Sequence, residues 1–504
     1  MKYGTGMRFI LLCIVFLVAT TFQYCESAQG PAIGNPAGGE GPAGVEPGGN
    51  KPVGNKPLFK DFMGINGHFT FKPELYRQVC RLVRNYHNIE WDVNKVGDST
   101  TLPETVNHIN WKRDVYGPWK QNGFETDICL QFGSFGTGIP NLSDLCSLWK
   151  GKEQWAYDYG KRVATYFGPS GAEKLATSFE IDNEPGGRFD PVLHRILFKQ
   201  MTGGIRDGDP KALILTPYVK AGESDDWAQG LSTIYADKDI LPLYDVINIH
   251  TYATLPKSST SENYWNRSYP EDPSLDYLKV VDQAIAWRNQ YASGKKVWLT
   301  EFGYDACTPA AMEHRQGWML KLNWQGATDL QQAQYLVRSF LAFATKDVDR
   351  AYLYYYNDND EASFHGASGL TRNFQPKMSF WAVKQLYATL GNYRLHRIVK
   401  NDAGKLFVYE FEHEGDKNKQ GADSSKKIWV AWSPTGAKTQ EKEGYQPREA
   451  KVTLIGLPGK PTHVTGMATT DGQAPEQKWE QAGNAAITLT IGESPVYIVM
   501  DKTK

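Results

Sequence analysis

Net charge is almost absent from this chain. With 55 Lys and Arg against 56 Asp and Glu in 504 residues, the formal charge is -1, so no overall field draws it to nucleic acid. Cysteine is scarce, six in all, and no Cys or His spacing matches a metal site, so neither metal nor cofactor is expected. A glycine-rich phosphate turn is missing after the first candidate strand. The turn Gly133-Ser134-Phe135-Gly136-Thr137-Gly138 follows the third and lacks the fingerprint order, which ranks a doubly wound open sheet below a closed barrel. Long apolar runs are missing too. The longest, Phe9 to Ala19, follows Arg8 and gives way to Gln23 and Glu26; it is shorter than the roughly 20 residues of a spanning helix and has the pattern of a secretory signal peptide.

Cleavage after Ser27 or Ala28 makes residues 1–28 the signal peptide and predicts a secreted, periplasmic or cell-surface protein, monomeric, with no membrane span once the segment is removed. Export leaves Cys80, Cys129, Cys146 and Cys307 in an oxidising compartment. Their irregular spacing allows at most one disulfide, and four buried free thiols fit equally well. Residues 29–57 are mostly Gly, Pro, Ala and Asn with almost no large apolar side chains, too little to offset the entropy of ordering, and read as a flexible linker.

What is present is aromatic: 15 Trp, 27 Tyr and 22 Phe. Rings beyond those needed for a core are stacking platforms for sugar faces. From Leu58 to residue 392, short β-rich runs alternate with segments of helical periodicity, the pattern of strand-helix units around a parallel sheet. Candidate strands are Asp61 to Asn66, Leu82 to Glu90, Thr126 to Phe132, Ala176 to Asp182, Ala212 to Pro217, Val246 to Thr251, Lys296 to Glu301 and Arg350 to Tyr355. Eight strands in that length predict an α/β fold, a (β/α)8 barrel over residues 58–392. Between them, Trp155 to Phe167, Leu275 to Tyr291, Leu330 to Ala344 and Ser379 to Leu390 have helical spacing. Residues 393–504 change to alternating strands with turn-rich connectors, among them Leu406 to Phe411, Lys427 to Trp432, Ala450 to Ile455, Ala486 to Ile491 and Pro495 to Met500, and predict a small all-β, sandwich-like domain.

In a barrel the carboxyl ends of the strands share one face, where the chemistry takes place. Those ends carry Asn66 and His68, Arg84 and His87, Asn183 and Glu184, His250 and Tyr252, Glu301, and the run Tyr354-Tyr355-Tyr356-Asn357. Polar groups at nearly every strand end are costly in a pure core and argue for a site. Proline after Glu184 ends its strand, because it lacks the ladder donor, and leaves the carboxyl at the rim. Glu184 and Glu301, on the fourth and seventh strands, face each other across the mouth. Two carboxyls about 5 Å apart are what a retaining glycosidase needs, whereas inverting hydrolysis needs about 6.5 to 9.5 Å.

The strings Ile181-Asp182-Asn183-Glu184-Pro185, Ile249-His250-Thr251-Tyr252 and Trp298-Leu299-Thr300-Glu301-Phe302-Gly303 resemble the large clan of (β/α)8 retaining glycoside hydrolases. Their acid/base and nucleophile end strands four and seven. The spread of the chain and the trailing β-domain are most similar to glycoside hydrolase family 39 and its neighbours. The resemblance implies hydrolysis of β-glycosidic bonds in a poly- or oligosaccharide, with Glu184 as acid/base and Glu301 as nucleophile. It implies Asn183 on the hydroxyl next to the anomeric carbon, Tyr252 donating to Glu301, His250 on the same wall, and Arg84 keeping Glu301 ionised. Asn66, His68, Tyr355 and Trp265 complete the expected sugar-binding set. One departure stands out: where this clan commonly places a tryptophan after strand eight, this chain has Tyr354-Tyr355-Tyr356. A non-catalytic carbohydrate-binding protein on the same barrel and a transglycosylase are the alternatives.

Overall fold

The computed structural model describes residues 54–132, 142–185, 190–220, 229–230, 234–255, 266–402, 405–415, 426–434 and 449–502. The expected signal peptide, nearly all of the expected linker, Phe135 and Trp265 lie outside them. The described residues belong to one compact unit.

Eight strands form the barrel: β1 (Met63–Gly67), β2 (Leu82–Asn88), β3 (Glu125–Gln131), β4 (Ser178–Ile181), β5 (Leu213–Lys220), β6 (Val246–His250), β7 (Lys296–Phe302) and β8 (Arg350–Leu353). Each pairs in parallel with the next, and β8 pairs with β1, so the sheet closes and the open-sheet alternative is excluded. Side chains alternate between barrel interior and helix layer. In β7, Val297 and Leu299 join the large core shared with the helices, while Trp298 joins Leu82, Leu215, Val246 and Tyr352 in a separate apolar plug. Gly64 is required there: a Cβ on it would lie 2.4 Å from the Tyr352 ring.

The helices follow their caps. Asp329–Ala344 starts at a capping box, in which Thr328 and Gln331 satisfy each other's backbone N–H. Glu153–Phe167 and Met378–Leu390 lie within two residues of the expected spans, whereas Lys279–Tyr291 begins four residues late. Helix Pro191–Gly208 was not anticipated, although Asp190 caps it and proline opens it. Its Gly203-Gly204 pair argues locally against a helix. Packing overrides that preference, because a Cβ on Gly204 would lie 2.0 Å from the Tyr157 carbonyl oxygen of helix Glu153–Phe167.

After the barrel come β9 (Tyr393–Asp402), β10 (Leu406–His413), β11 (Lys427–Trp432), β12 (Ala450–Ile455), β13 (Gly459–Thr465), β14 (Trp479–Gly483), β15 (Ala486–Ile491) and β16 (Val496–Lys502). They make a five-stranded antiparallel sheet, β9-β10-β11-β16-β13, and a three-stranded one, β12-β15-β14. Val408, Trp429, Ala431, Ile498 and Met500 of the larger sheet pack with Leu454, Ile487, Leu489 and Ile491 of the smaller, which is a sandwich. The intervening positions Phe407, Tyr409, Phe411, Ile428, Val430 and Trp432 join the barrel's own core. Strands β9, β13 and β14 were not anticipated; β9 is rich in charged residues, β13 carries a proline, and β14 is five residues ending in glycine. Cys80, Cys129, Cys146 and Cys307 are free thiols.

Candidate active site

Three backbone irregularities at the carboxyl ends of the strands build the site. At the end of β4, Asp182 has φ 69°, a left-handed conformation uncommon outside glycine. It turns the chain so that Asn183 and Glu184 leave the strand, and its Oδ1 accepts the Asn183 N–H at 2.9 Å. On β7 the register slips: Ile249 pairs with Leu299 but His250 pairs with Glu301, so Thr300 is an extra residue in a bulge. That bulge rotates Glu301 inward, where strict alternation would send it to the helix side. After β7, Gly303 lets β8 approach, because a Cβ would lie 2.2 Å from the Tyr354 carbonyl oxygen.

Within the mouth, carboxylate oxygens of Glu184 and Glu301 and a ring nitrogen of His250 lie within 4.8 Å of one another. The two glutamates differ in exposure: Glu184 keeps 28% of its side chain open and Glu301 only 7%. Glu301 Oε1 accepts from Tyr86 Oη at 2.6 Å and Arg84 Nη1 at 3.0 Å, and Oε2 accepts from Tyr252 Oη at 2.8 Å. Burial alone would raise its pKa. The charges of His250 and Arg84 and the two tyrosine hydrogen bonds outweigh burial and hold it down at about 2. Burial and the Glu301 charge push both tyrosine hydroxyls well above the ordinary tyrosine value, so they remain donors.

Beneath Glu301, Arg84 is fully buried and forked onto Glu180, with Nε to Oε2 at 2.7 Å and Nη2 to Oε1 at 2.6 Å. Two edges of the guanidinium then remain, and they reach Asn66 Oδ1 at 2.9 Å and Asn183 Oδ1 at 2.7 Å, besides Glu301. Asn66 in turn donates to the carbonyls of Thr300 and Leu353. Arg84 and Asn66 have no exposed surface. The expectation that they touch sugar is corrected: they position Glu301 and Asn183 from below. With Oδ1 fixed on Arg84, the Asn183 amide Nδ2 makes no hydrogen bond among the described residues.

His250 Nδ1 lies 2.7 Å from Glu184 Oε1, and Nε2 lies 3.0 Å from Thr300 Oγ1. Its ring is stacked on Tyr218 at 4.8 Å. The Thr300 hydroxyl donates to Asn248 Oδ1 at 2.5 Å, which leaves its lone pairs for the His250 Nε2–H. His68 is not part of this set. It packs edge-on against Phe69 and Trp91, and burial pushes its pKa down to about 4. Tyr355 is also set apart: it packs on Tyr354 and Tyr356 against the core, whereas Tyr354 meets Tyr86 and His365. His87 turns to the helix side, bonded to Asp92 and Tyr116.

Sequence reasoning missed Tyr86, Glu180 and His365, and from the run Tyr354 to Tyr356 it chose Tyr355 where the structure brings Tyr354 to the mouth. Alternation from Arg84 marks Tyr86, and alternation from Tyr352 marks Tyr354. Among the described residues Glu184, His250 and Glu301 form the one trio spaced to share a cation. The guanidinium and two hydroxyls already on Glu301 supply it with compensating charge and donors.

The closed (β/α)8 barrel backed by a β-sandwich is similar in structure to solved glycoside hydrolases. The chain is similar in structure to a family 39 glycoside hydrolase from the gut symbiont Bacteroides cellulosilyticus WH2, with 16% identity, a TM-score of 0.56, and 87% of this chain and 80% of that one covered. It is also similar to a monomeric β-xylosidase from Caulobacter crescentus CB15, at 15% identity and TM-score 0.54 over 88% of this chain and 97% of that one. A family 30 endoxylanase from Clostridium papyrosolvens C71 follows at 13% identity and TM-score 0.50, over 88% and 97%. At such identities the likeness is one of fold. No family profile and no curated protein matches the sequence.

Proposed function

We propose that this protein is a secreted retaining glycoside hydrolase that cleaves β-glycosidic bonds in a poly- or oligosaccharide. The observation that carries this reading is the carboxylate pair, within 4.8 Å and unequal in exposure. That spacing suits direct attack by one carboxylate and is too short for the water an inverting mechanism places between them.

Glu301, ionised and fixed by three donors, is the nucleophile. Its Oε1 accepts from both Arg84 and Tyr86, whereas among the described residues Oε2 accepts a hydrogen bond from Tyr252 alone, with His250 Nδ1 3.7 Å away, so Oε2 is the oxygen that attacks the anomeric carbon. Glu184 is the acid. The 2.7 Å contact between Glu184 Oε1 and His250 Nδ1 holds one proton between carboxyl and imidazole, and Glu184 carries it to the substrate. That proton passes to the leaving oxygen as the glycosidic bond breaks and the Glu301 ester forms. Glu184, now a carboxylate, takes a proton from water, whose oxygen displaces Glu301. The Asn183 amide donates to the neighbouring sugar hydroxyl as positive charge develops on the ring.

The test is stereochemical. Proton NMR of the first-formed product should show the β anomer, and a 2-deoxy-2-fluoro glycoside should add its mass to the peptide containing Glu301. An α anomer formed first, or label on another residue, would sink the retaining assignment. Glu184→Gln should lower turnover of a natural glycoside at least a hundredfold while leaving sugar binding intact; unchanged turnover would remove Glu184 from the role. Export is part of the proposal, and sequencing the amino terminus of protein recovered from the medium checks it.

A further inference from the structure

We propose that His365 is a substrate-contacting residue of this site, presenting a hydrogen-bond donor to a hydroxyl of the sugar held over Glu301. The inference rests on the hydrolase reading and adds the residue that selects among sugar hydroxyls.

His365 lies on the loop between β8 and helix Met378–Leu390, far in sequence from both glutamates. Its ring stands edge-on to Tyr252 at 4.5 Å and to Tyr354 at 5.5 Å, and Tyr252 is the residue that donates to Glu301 Oε2. The imidazole therefore shares a wall with the attacking oxygen. The backbone that puts it there is strained: φ is 62° at His365, a conformation that costs a non-glycine residue on the order of 1 kcal/mol or more. Glycine stands at the very next position, 366, yet the histidine occupies the strained one. What holds it is Asp305, fully buried, whose Oδ1 accepts the His365 N–H at 2.6 Å and the Ser368 hydroxyl at 2.6 Å, while Oδ2 accepts Arg267 Nε at 3.2 Å. Strain persists only where the surroundings over-determine it, and it gathers where a side chain must be aimed.

The ring's hydrogen-bonding state points the same way. Nδ1 is buried with no partner, whereas the residue as a whole remains partly exposed. Burial and the nearby Arg267 charge lower its pKa, so the ring is neutral at pH 7 and carries one proton. On Nδ1 that proton would be a stranded buried donor, at a cost of about 1–3 kcal/mol. It belongs on Nε2, which is not among the buried atoms and to which no described residue offers an acceptor. A neutral N–H set beside two carboxylates suits an uncharged hydroxyl.

His365→Gly and His365→Asn test this, because both residues tolerate the left-handed backbone and only Asn keeps an N–H donor. The probes are 4-nitrophenyl β-glycosides of xylose, glucose, mannose and galactose and the matching β-1,4-linked oligosaccharides, read by turnover and, independently, by calorimetric binding. The Gly variant should lose about tenfold in kcat/KM or in affinity on the sugar the wild type prefers, with a melting temperature equal to or above the wild type's, and the Asn variant should recover part of the loss. A Gly variant with wild-type kcat/KM and affinity overturns the proposal, as does one whose melting temperature falls while affinity is unchanged. Binding without turnover in the wild type, with binding weakened in the Gly variant, sinks the hydrolase reading but keeps His365. A wild type that neither binds nor cleaves any probe overturns both.

Discussion

Tyr86→Phe isolates one support of Glu301, the proposed nucleophile. The substitution removes the hydroxyl that lies 2.6 Å from Glu301 Oε1 and keeps the ring over which the Arg84 guanidinium sits, 4.6 Å from its centroid. A hydrogen bond to an ionised group contributes about 1.5–3 kcal/mol, and one pKa unit corresponds to about 1.4 kcal/mol. The Glu301 pKa, about 2 in the wild type, should therefore rise by roughly one to two units, to about 3–4. A raised pKa means that Glu301 takes up its proton at higher pH, so the acid limb of kcat/KM for an activated aryl β-glycoside moves up by the same amount, since that limb reports the free enzyme. At pH 7 the carboxyl stays ionised, and kcat changes only as far as geometry does. Circular dichroism at each pH separates loss of fold from protonation. The Tyr86→Phe/Tyr252→Phe double variant should move the limb further. An acid limb that superimposes on the wild type's would refute the claim that Tyr86 supports the charge of Glu301.

Glu180→Leu should destabilise the protein by about 3–5 kcal/mol in urea denaturation, because it leaves the fully buried Arg84 cation without its forked partner; a loss under 1 kcal/mol would mean that Arg84 is held by other contacts. Glu301 also links stability to pH. Its folded pKa, about 2, lies below the ordinary 4.5, so its contribution is complete above pH 4.5 and is lost as the pH falls through 2. The stability difference between wild type and Glu301→Gln should shrink across that window, and a flat difference would contradict the ionised assignment. Gly64→Ala, which sets a Cβ 2.4 Å from the Tyr352 ring, should cost about 1–3 kcal/mol by overpacking, read as a lowered melting temperature; no change would mean that the plug yields freely.

Much of this was legible in sequence, and the reasons for the misses are physical. Eight β-rich runs with helical segments between them define the barrel because every strand is buried on both faces. Glu184 and Glu301 were recognisable from their strings, but not from alternation: one follows a left-handed aspartate and the other sits in a bulge. Where the strands stay regular, alternation is the better guide. It selects Tyr86 over His87 and Tyr354 over Tyr355, because each lies two positions from an inward residue. Glu180 was hidden by its type, since an isolated strand does not disclose the arginine that neutralises a buried carboxylate. His365 was hidden by distance along the chain, with only loop residues around it.

The two apolar faces of β10 and β11 bear on where this protein can be cut. In the sequence the texture changes after Gly391, where a designer would place a boundary and expect a free-standing barrel. In space, Phe407, Tyr409, Phe411, Ile428, Val430 and Trp432 are part of the barrel's own interior, and Trp432 Nε1 donates to Glu271 beside the buried Arg338. A truncation at that point would strip one wall from the core and leave Glu271 short of a donor. The carboxyl-terminal strands are therefore the outer half of the barrel's body, and transplanting the site to another scaffold would mean carrying them along.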